Sequence, residues 1–239
     1  MATSNDVGGA RLLEFLDEFG LPSVVPLADE VIARSEAAMR DAIRAVPDGT
    51  YRHALVMDGY AEALADGSVR EVPVTLACAV TVHGDTLSVD FEGTSHEAPR
   101  GINVVMNYTE AYTTFGIKCA LAPDVPNNEG SFRPVTITAP PGSILNCQPP
   151  APVAGRHIVG QWLPAVVHVA LAQAIPDRVI ADGASSLWIT GFTGTTRATD
   201  EAPRRPYSML FFNSGGTGAR PSKDGLSSTA FPSGVQIGR

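Results

Sequence analysis

Val72-Pro73-Val74-Thr75-Leu76-Ala77-Cys78-Ala79-Val80-Thr81-Val82, then His83-Gly84-Asp85, then Thr86-Leu87-Ser88-Val89-Asp90-Phe91, is the stretch on which the fold turns. The first run is rich in β-branched residues. In the second, Leu87, Val89 and Phe91 point one way and Ser88 and Asp90 the other, the period-two pattern of a half-buried strand. Two strands joined at a Gly-Asp turn make a β-hairpin. Residues 50–58 alternate more loosely and read as a strand before it.

The chain ahead of these strands has helical spacing. Leu12, Leu13, Leu16 and Phe19 predict a short helix over residues 10–19, stopped by Gly20. Leu27, Val31, Ser35, Met39, Ala42 and Val46 line one face of a longer helix. Glu30 with Arg34 and Glu36 with Arg40 are i,i+4 pairs on its solvent side, and Pro47-Asp48-Gly49 ends it. Beyond the hairpin, residues 104–121 predict a buried helix, residues 123–133 a loop and residues 134–139 a short strand. Pro140-Pro141-Gly142 breaks that strand, and extended structure resumes over 143–147. Residues 156–175 read as an apolar helix kinked or begun near Pro164. Further strands are expected at 186–189 and 207–212, with a Gly/Ser/Pro-rich region from Asn213. The expected fold is α+β and loop-rich, a mixed β-sheet with hairpins and several packed helices. A helical segment, 1–49, precedes an α+β core, 50–239.

Composition narrows the function classes. Gly and Pro make up 42 of 239 residues without any repeat, which calls for many turns. A net charge of −8 gives no basic footprint for nucleic acid; Arg204, Arg205 and Arg220 are the only loosely basic stretch. No apolar run approaches the roughly 20 residues of a membrane-spanning helix, and residues 1–11 lack an apolar signal region. Cys78, Cys119 and Cys147 are odd in number and far apart, as expected of reduced thiols in the cytoplasm.

The five histidines form no HExxH pattern, and no CxxC pattern is present, so no standard zinc motif exists and no metal ligand is assigned. His96, near Glu92 and Glu97, reads as a surface turn. Cys147 and His157 have no spacing that argues for a thiol-imidazole pair. The glycine-rich run Asn213-Ser214-Gly215-Gly216-Thr217-Gly218-Ala219 lacks the Gly-Lys-Ser/Thr ending of a phosphate loop. Gly215, Gly216 and Gly218 would still let a ligand or partner approach the backbone closely. The densest polar loop is Asp124-Val125-Pro126-Asn127-Asn128-Glu129-Gly130-Ser131-Phe132-Arg133-Pro134, which suits either a polar substrate or a satisfied turn network.

That loop, with Ala120-Leu121-Ala122-Pro123 before it, resembles the signature of the hydantoinase B/oxoprolinase family. Supporting stretches follow in the family's order: Gly101-Ile102-Asn103, Pro140-Pro141-Gly142-Ser143-Ile144-Leu145-Asn146, Pro149-Pro150-Ala151-Pro152-Val153-Ala154-Gly155, Leu171-Ala172-Gln173-Ala174-Ile175-Pro176-Asp177-Arg178-Val179, and Gly215-Gly216-Thr217-Gly218-Ala219 with Asp224-Gly225. The resemblance implies the B-type subunit of an ATP-dependent cyclic amide hydrolase acting on 5-oxoproline, hydantoins or lactams. An A-type partner subunit would bind ATP and phosphorylate the carbonyl or amide oxygen. The same family includes ATP-dependent ketone carboxylases, and a non-catalytic scaffold binding an A-type partner is a third expectation. Members are longer on both sides, so a start after the N-terminal portion and a stop just past Phe231-Pro232-Ser233-Gly234 are expected. Gly-Gly-x-His-like motifs that bind a divalent metal in relatives have no counterpart in this sequence. The polar groups expected near the reacting centre or interface are Asn103, Asn128, Arg133 and Asp224.

Overall fold

The computed structural model describes residues 2–183, 187–199 and 203–229. The residues 231–234 singled out above lie outside that range, as does Ser186 at the start of an expected strand. Two helices lead the chain, α1 (Ala2–Glu18) and α2 (Val25–Arg44). Strands β1 (Gly49–Ala63), β2 (Val69–His83) and β3 (Thr86–Asp90) follow, then α3 (Met106–Leu121), α4 (Glu129–Phe132) and β4 (Val135–Thr138). Helices α5 (His157–Gly160) and α6 (Leu163–Leu171) precede β5 (Leu187–Thr195) and β6 (Pro206–Ser214). The architecture is α+β, with a four-stranded sheet in the order β1-β2-β3-β4 and a separate two-stranded ribbon of β5 and β6.

The hairpin forms as its pattern requires. β2 and β3 pair antiparallel from His83 with Thr86 to Ala79 with Asp90, around a turn where Gly84 adopts φ +58. β1 pairs antiparallel with β2, and a bulge between Met57 and Tyr60 shifts the register. Gly59 sits in that bulge at φ +80, and a Cβ there would lie 1.8 Å from the Val72 carbonyl oxygen. β4 pairs parallel with β3, which makes the sheet mixed.

One face of the sheet is covered. Val74, Leu76, Val80, Leu87 and Val89 point into a core shared with α3 and α6. Met39, Ile43 and Val46 bring the C-terminal half of α2 into the same core, and burying such side chains stabilises by roughly 1.5–3 kcal/mol each. Asp85 of the hairpin turn fixes this docking, accepting from Arg40 at 3.2 Å and Arg44 at 2.9 Å. The N-terminal half of the expected stripe behaves differently: Leu27 and Val31 are exposed, as are Leu12, Leu13 and Phe19 of the first helix. Amphipathic spacing fixed which face is apolar and left open what covers it. α1 also starts earlier than residue 10, running through Gly8 and Gly9, where a side chain would meet open space.

Two other expectations are refined. Residues 143–147 are not a resumed strand but a chain of turns, with Ser143 N–H donating to Pro140 O and Ile144 N–H to Ser95 O. Ile144 and Leu145 are consecutive and both fully buried, which an alternating strand with one exposed face does not permit. The helix expected over 156–175 divides into α5 and α6, with Pro164 in the first turn of α6 where its missing N–H costs nothing.

α3 and α6 cross at Gly116, where an added Cβ would lie 2.8 Å from Pro164 Cα. Gly116→Val is therefore expected to destabilise the fold by ~1–3 kcal/mol through overpacking. Gly8→Ala, on an exposed helical turn, is expected to stabilise by about 0.5–1 kcal/mol. Urea denaturation of the two variants checks the opposite signs.

Candidate functional site

The polar loop of residues 124–134 folds onto α2 and becomes a lock between two helices. Asn128 caps α4: its side chain accepts from Ser131 N–H, and Ser131 Oγ in turn accepts from Asn128 N–H, a reciprocal capping box. Asn128 Nδ2 donates to Ser35 Oγ at 2.7 Å, which joins the cap to a buried serine of α2. Gly130 lies so close to α2 that a Cβ would sit 2.0 Å from the Ile32 carbonyl oxygen. Arg133 closes the lock, pairing with Glu129 at 2.8 Å and with Glu36 of α2 at 3.2 Å. Glu36 also accepts from Arg40 at 2.8 Å, so one carboxylate serves two guanidinium groups. Hydrogen bonds from Arg40 and Arg133 hold its carboxyl below the usual carboxylate range.

The other expected residues sit elsewhere. Asn103 is fully buried. Its Nδ2 donates to the carbonyls of Ala98 (2.8 Å), Arg100 (3.0 Å) and Pro152 (2.9 Å), and its Oδ1 accepts from Ala98 N–H at 2.7 Å. The amide thus pins the 98–103 segment to the proline-rich segment at 152. Asp224 is exposed, and its carbonyl oxygen accepts from Arg220 Nε and Nη2 at 3.1 and 2.9 Å.

The glycine-rich loop meets this chain's own backbone. A Cβ on Gly218 would lie 1.8 Å from Ala181 O, and one on Gly216 would lie 2.9 Å from Leu226 O. Ala181 N–H donates to Ala219 O at 2.9 Å across the same contact, while Gly215 is exposed. Asn128 with Arg133, Asn103, and Asp224 with the glycines therefore occupy three separate places.

Among the clefts formed by the described residues, two bear on these side chains. A 450 Å³ cleft lies between α3, α4 and the free edge of β4, lined by Asn107, Glu110, Ala111, Thr114, Phe132, Val135 and Ile137. Phe132 gives the signature loop one wall of it. A 570 Å³ cleft lies on the uncovered face of the sheet, lined by Arg52, His53, Ala54, Ala77, Cys78, Ala79, Asp90 and Glu92. Sequence reasoning missed both, because each joins strands or helices whose pairing is not written locally. The alternation of Asp90 and Glu92 with buried Phe91 was the available signal for the second.

The thiols are not poised for nucleophilic work. Burial, with the Asp90 charge nearby, pushes Cys78 up to about 12. Burial, followed by the Glu97 charge, raises Cys147 as well. His96 is exposed and bridges to Ser143, as a surface turn should. Among the described residues no group of three or more His, Cys, Asp or Glu converges as a metal site.

The sequence model for hydantoinase B/oxoprolinase matches residues 1–237. The chain belongs to the hydantoinase B/oxoprolinase family. A Pseudomonas sp. (strain NS671) protein assigned as the B-type subunit of a D-/L-hydantoinase is 30% identical over 227 residues, covering 92% of this chain and 37% of that protein. The acetophenone carboxylase delta subunit of Aromatoleum aromaticum is 26% identical over 96% of this chain and 33% of its own length. Among solved structures, the ATP-dependent caprolactamase from Pseudomonas jessenii superposes with a TM-score of 0.71 at 27% identity, covering 94% of this chain and 38% of that one. The chain thus spans about 33–38% of the length of these relatives. No described helix is long and apolar enough to cross a membrane.

Glu36, with its depressed folded pKa, contributes stability that is fully present above the ordinary carboxylate pKa of 4.5 and is lost as pH falls through the folded value. Glu36→Gln is expected to melt lower than the parent at pH 7 and alongside it in strong acid. Thermal melts across that range check the convergence; a gap that persists in strong acid rules out the ionic lock.

Proposed function

We propose that this chain forms part of the B-type subunit of an ATP-dependent cyclic amide hydrolase and shapes the space where the activated carbonyl reacts. The observation that carries this reading is the match to an ATP-dependent caprolactamase over 94% of the chain. ATP is bound by an A-type partner, which transfers a phosphoryl group to the amide oxygen. Water then adds to the carbon, the nitrogen takes up a proton and leaves as the C–N bond breaks, and a second water hydrolyses the resulting acyl phosphate to the ring-opened acid and phosphate. Stabilising charge at that carbon is the task of preorganised dipoles and side chains. The cleft beside Phe132, with Asn107, Glu110 and Thr114 on one face of α3, is the space we assign to it. Asn128 and Arg133 position that wall through α4, and any divalent metal belongs to parts of the enzyme other than this chain.

Apolar surface supports a partner. Leu12, Leu13 and Phe19 near α1, and Phe192, Met209, Leu210 and Phe211 on the β5–β6 ribbon, are exposed. A two-stranded ribbon is marginal in water by itself, and apolar patches of this kind mark contacts between proteins. The A-type subunit is the partner we assign to them, in a complex placed in the cytoplasm.

The second reading, a subunit of an ATP-dependent ketone carboxylase, is favoured by the acetophenone carboxylase relative, whose alignment takes in 96% of the chain. ATP hydrolysis by the chain mixed with an A-type partner separates the possibilities. Stimulation by 5-oxoproline, a hydantoin or a lactam, with release of the ring-opened acid, is expected. Bicarbonate-dependent turnover with a ketone transfers the chain to the carboxylase class, and binding without stimulated turnover makes it a scaffold.

Arg133→Ala in that complex is expected to lower turnover more than it lowers the melting temperature, because exposed ion pairs add little stability. Equal losses would reduce Arg133 to holding α4 on α2.

A further inference from the structure

The uncovered face of the four-stranded sheet carries charge in an unusual order. Pairing register sets Arg52 of β1 opposite Ala79 of β2, and Ala79 opposite Asp90 of β3. A guanidinium and a carboxylate therefore stand on one row with an alanine between them, their Cα atoms about 9–10 Å apart across two strand spacings. Glu92 follows Asp90 by two residues and lines the same cleft. Ala54 and Ala77, themselves a register pair, extend the floor. Three alanines in a row of strands leave a slot where larger side chains would have filled it, and the slot measures 570 Å³.

The charges flanking this slot do not satisfy one another. Among the described residues no ion pair joins Arg52 to Asp90 or Glu92. Arg52 is engaged through its carbonyl oxygen, which accepts from Gln173 Nε2 at 2.9 Å, while its guanidinium has no protein partner among those residues. Asp90 is held in place: Oδ1 accepts from Glu92 N–H and from Thr138 Oγ1, both at 3.1 Å. A cation on one flank and two carboxylates on the other exclude a simple anion, which the carboxylates would repel, and a simple metal cation, which Arg52 would repel. A molecule bearing both charges at its ends meets both flanks.

We infer that this cleft binds a small zwitterion, an amino acid whose carboxylate pairs with Arg52 and whose ammonium pairs with Asp90 and Glu92. Its carbon chain lies over the methyl groups of Ala54, Ala77 and Ala79. Guanidinium and carboxylate match as a bidentate pair. With a contact of about 2.8 Å at each end, flanks about 9–10 Å apart leave about 4–5 Å between the ligand's charges, the span of a short ω-amino acid. Such a molecule is also what opening of a cyclic amide leaves. The site itself rests on register and charge and stands apart from the proposed reaction.

Calorimetric titration of the chain alone, without ATP or partner, tests it with glycine, γ-aminobutyrate and ε-aminocaproate, and with hexanoate and hexylammonium as singly charged controls. Saturable binding of γ-aminobutyrate is expected, with both singly charged controls weaker by roughly tenfold or more, the size of one charge-assisted contact. Arg52→Gln and Glu92→Gln each are expected to weaken it by a similar factor. Both residues are at least partly exposed, and unchanged circular dichroism melts establish that the variants fold. No saturable heat, equal binding of hexanoate, or full affinity in either folded variant overturns the site. None of those outcomes bears on whether the chain supports turnover with an A-type partner.

Discussion

The covered side of the sheet depends on how closely α3 can approach α6. Gly116 removes the side chain at the crossing, Pro164 fills the space, and His168 Nε2 donates to the Gly116 carbonyl oxygen at 2.9 Å. That bond lies inside the core, where burial holds the imidazole below its ordinary pKa and hence neutral near pH 7. With the helices in contact, Leu163, Val166, Val167, Ala170 and Leu171 reach the buried side chains of β2 and the partly buried ones of β1. The same economy of space recurs one turn earlier, where Gly160 leaves room for the Tyr108 ring, itself stacked on Tyr112 at 4.3 Å. α3 is thereby fixed, and its outward face becomes a wall of the cleft beside β4.

The signature loop is largely occupied with holding structure. Asn128, Gly130, Ser131 and Arg133 cap a single helical turn, seat it against the backbone of α2 and tie it there with charge. Residue types that would suit substrate binding are here engaged within the chain. Lys118 behaves alike: it is buried, its pKa is lowered by desolvation, and its ammonium donates to the Ala122 and Val125 carbonyls at the end of α3. Groups with unspent capacity lie instead in the two clefts, on Glu110, Arg52 and Glu92. The division has a physical basis, since a polar group in a tight loop must be satisfied locally while one on a sheet face is satisfied by water until a ligand arrives.

Legibility varied with the range of the interaction. The β2–β3 hairpin, the Glu30–Arg34 and Glu36–Arg40 pairs, the buried α3 and the break near Pro164 all appear where their spacing placed them. Each is set by residues within a few positions of one another. Residues 143–147 misled because Ile144 and Leu145 look like strand residues, while their burial is imposed by Ser95 and Val104 on other segments. Asn103 and Asn128 were singled out through the motifs of the family resemblance. Their partners, Pro152 and Ser35, lie 49 and 93 residues away in sequence and left no local trace.

The sequence by itself determined most of the longer elements, the α+β class and the family, because hydrophobic period, turn chemistry and ordered motifs are all local or linear properties. Tertiary structure alone decided which charges meet. Glu36 and Arg133 are 97 residues apart and form one ion pair, while Arg52 and Asp90 share a row of the sheet without forming any. The difference follows from register and helix docking, which set distances that no spacing along the chain contains.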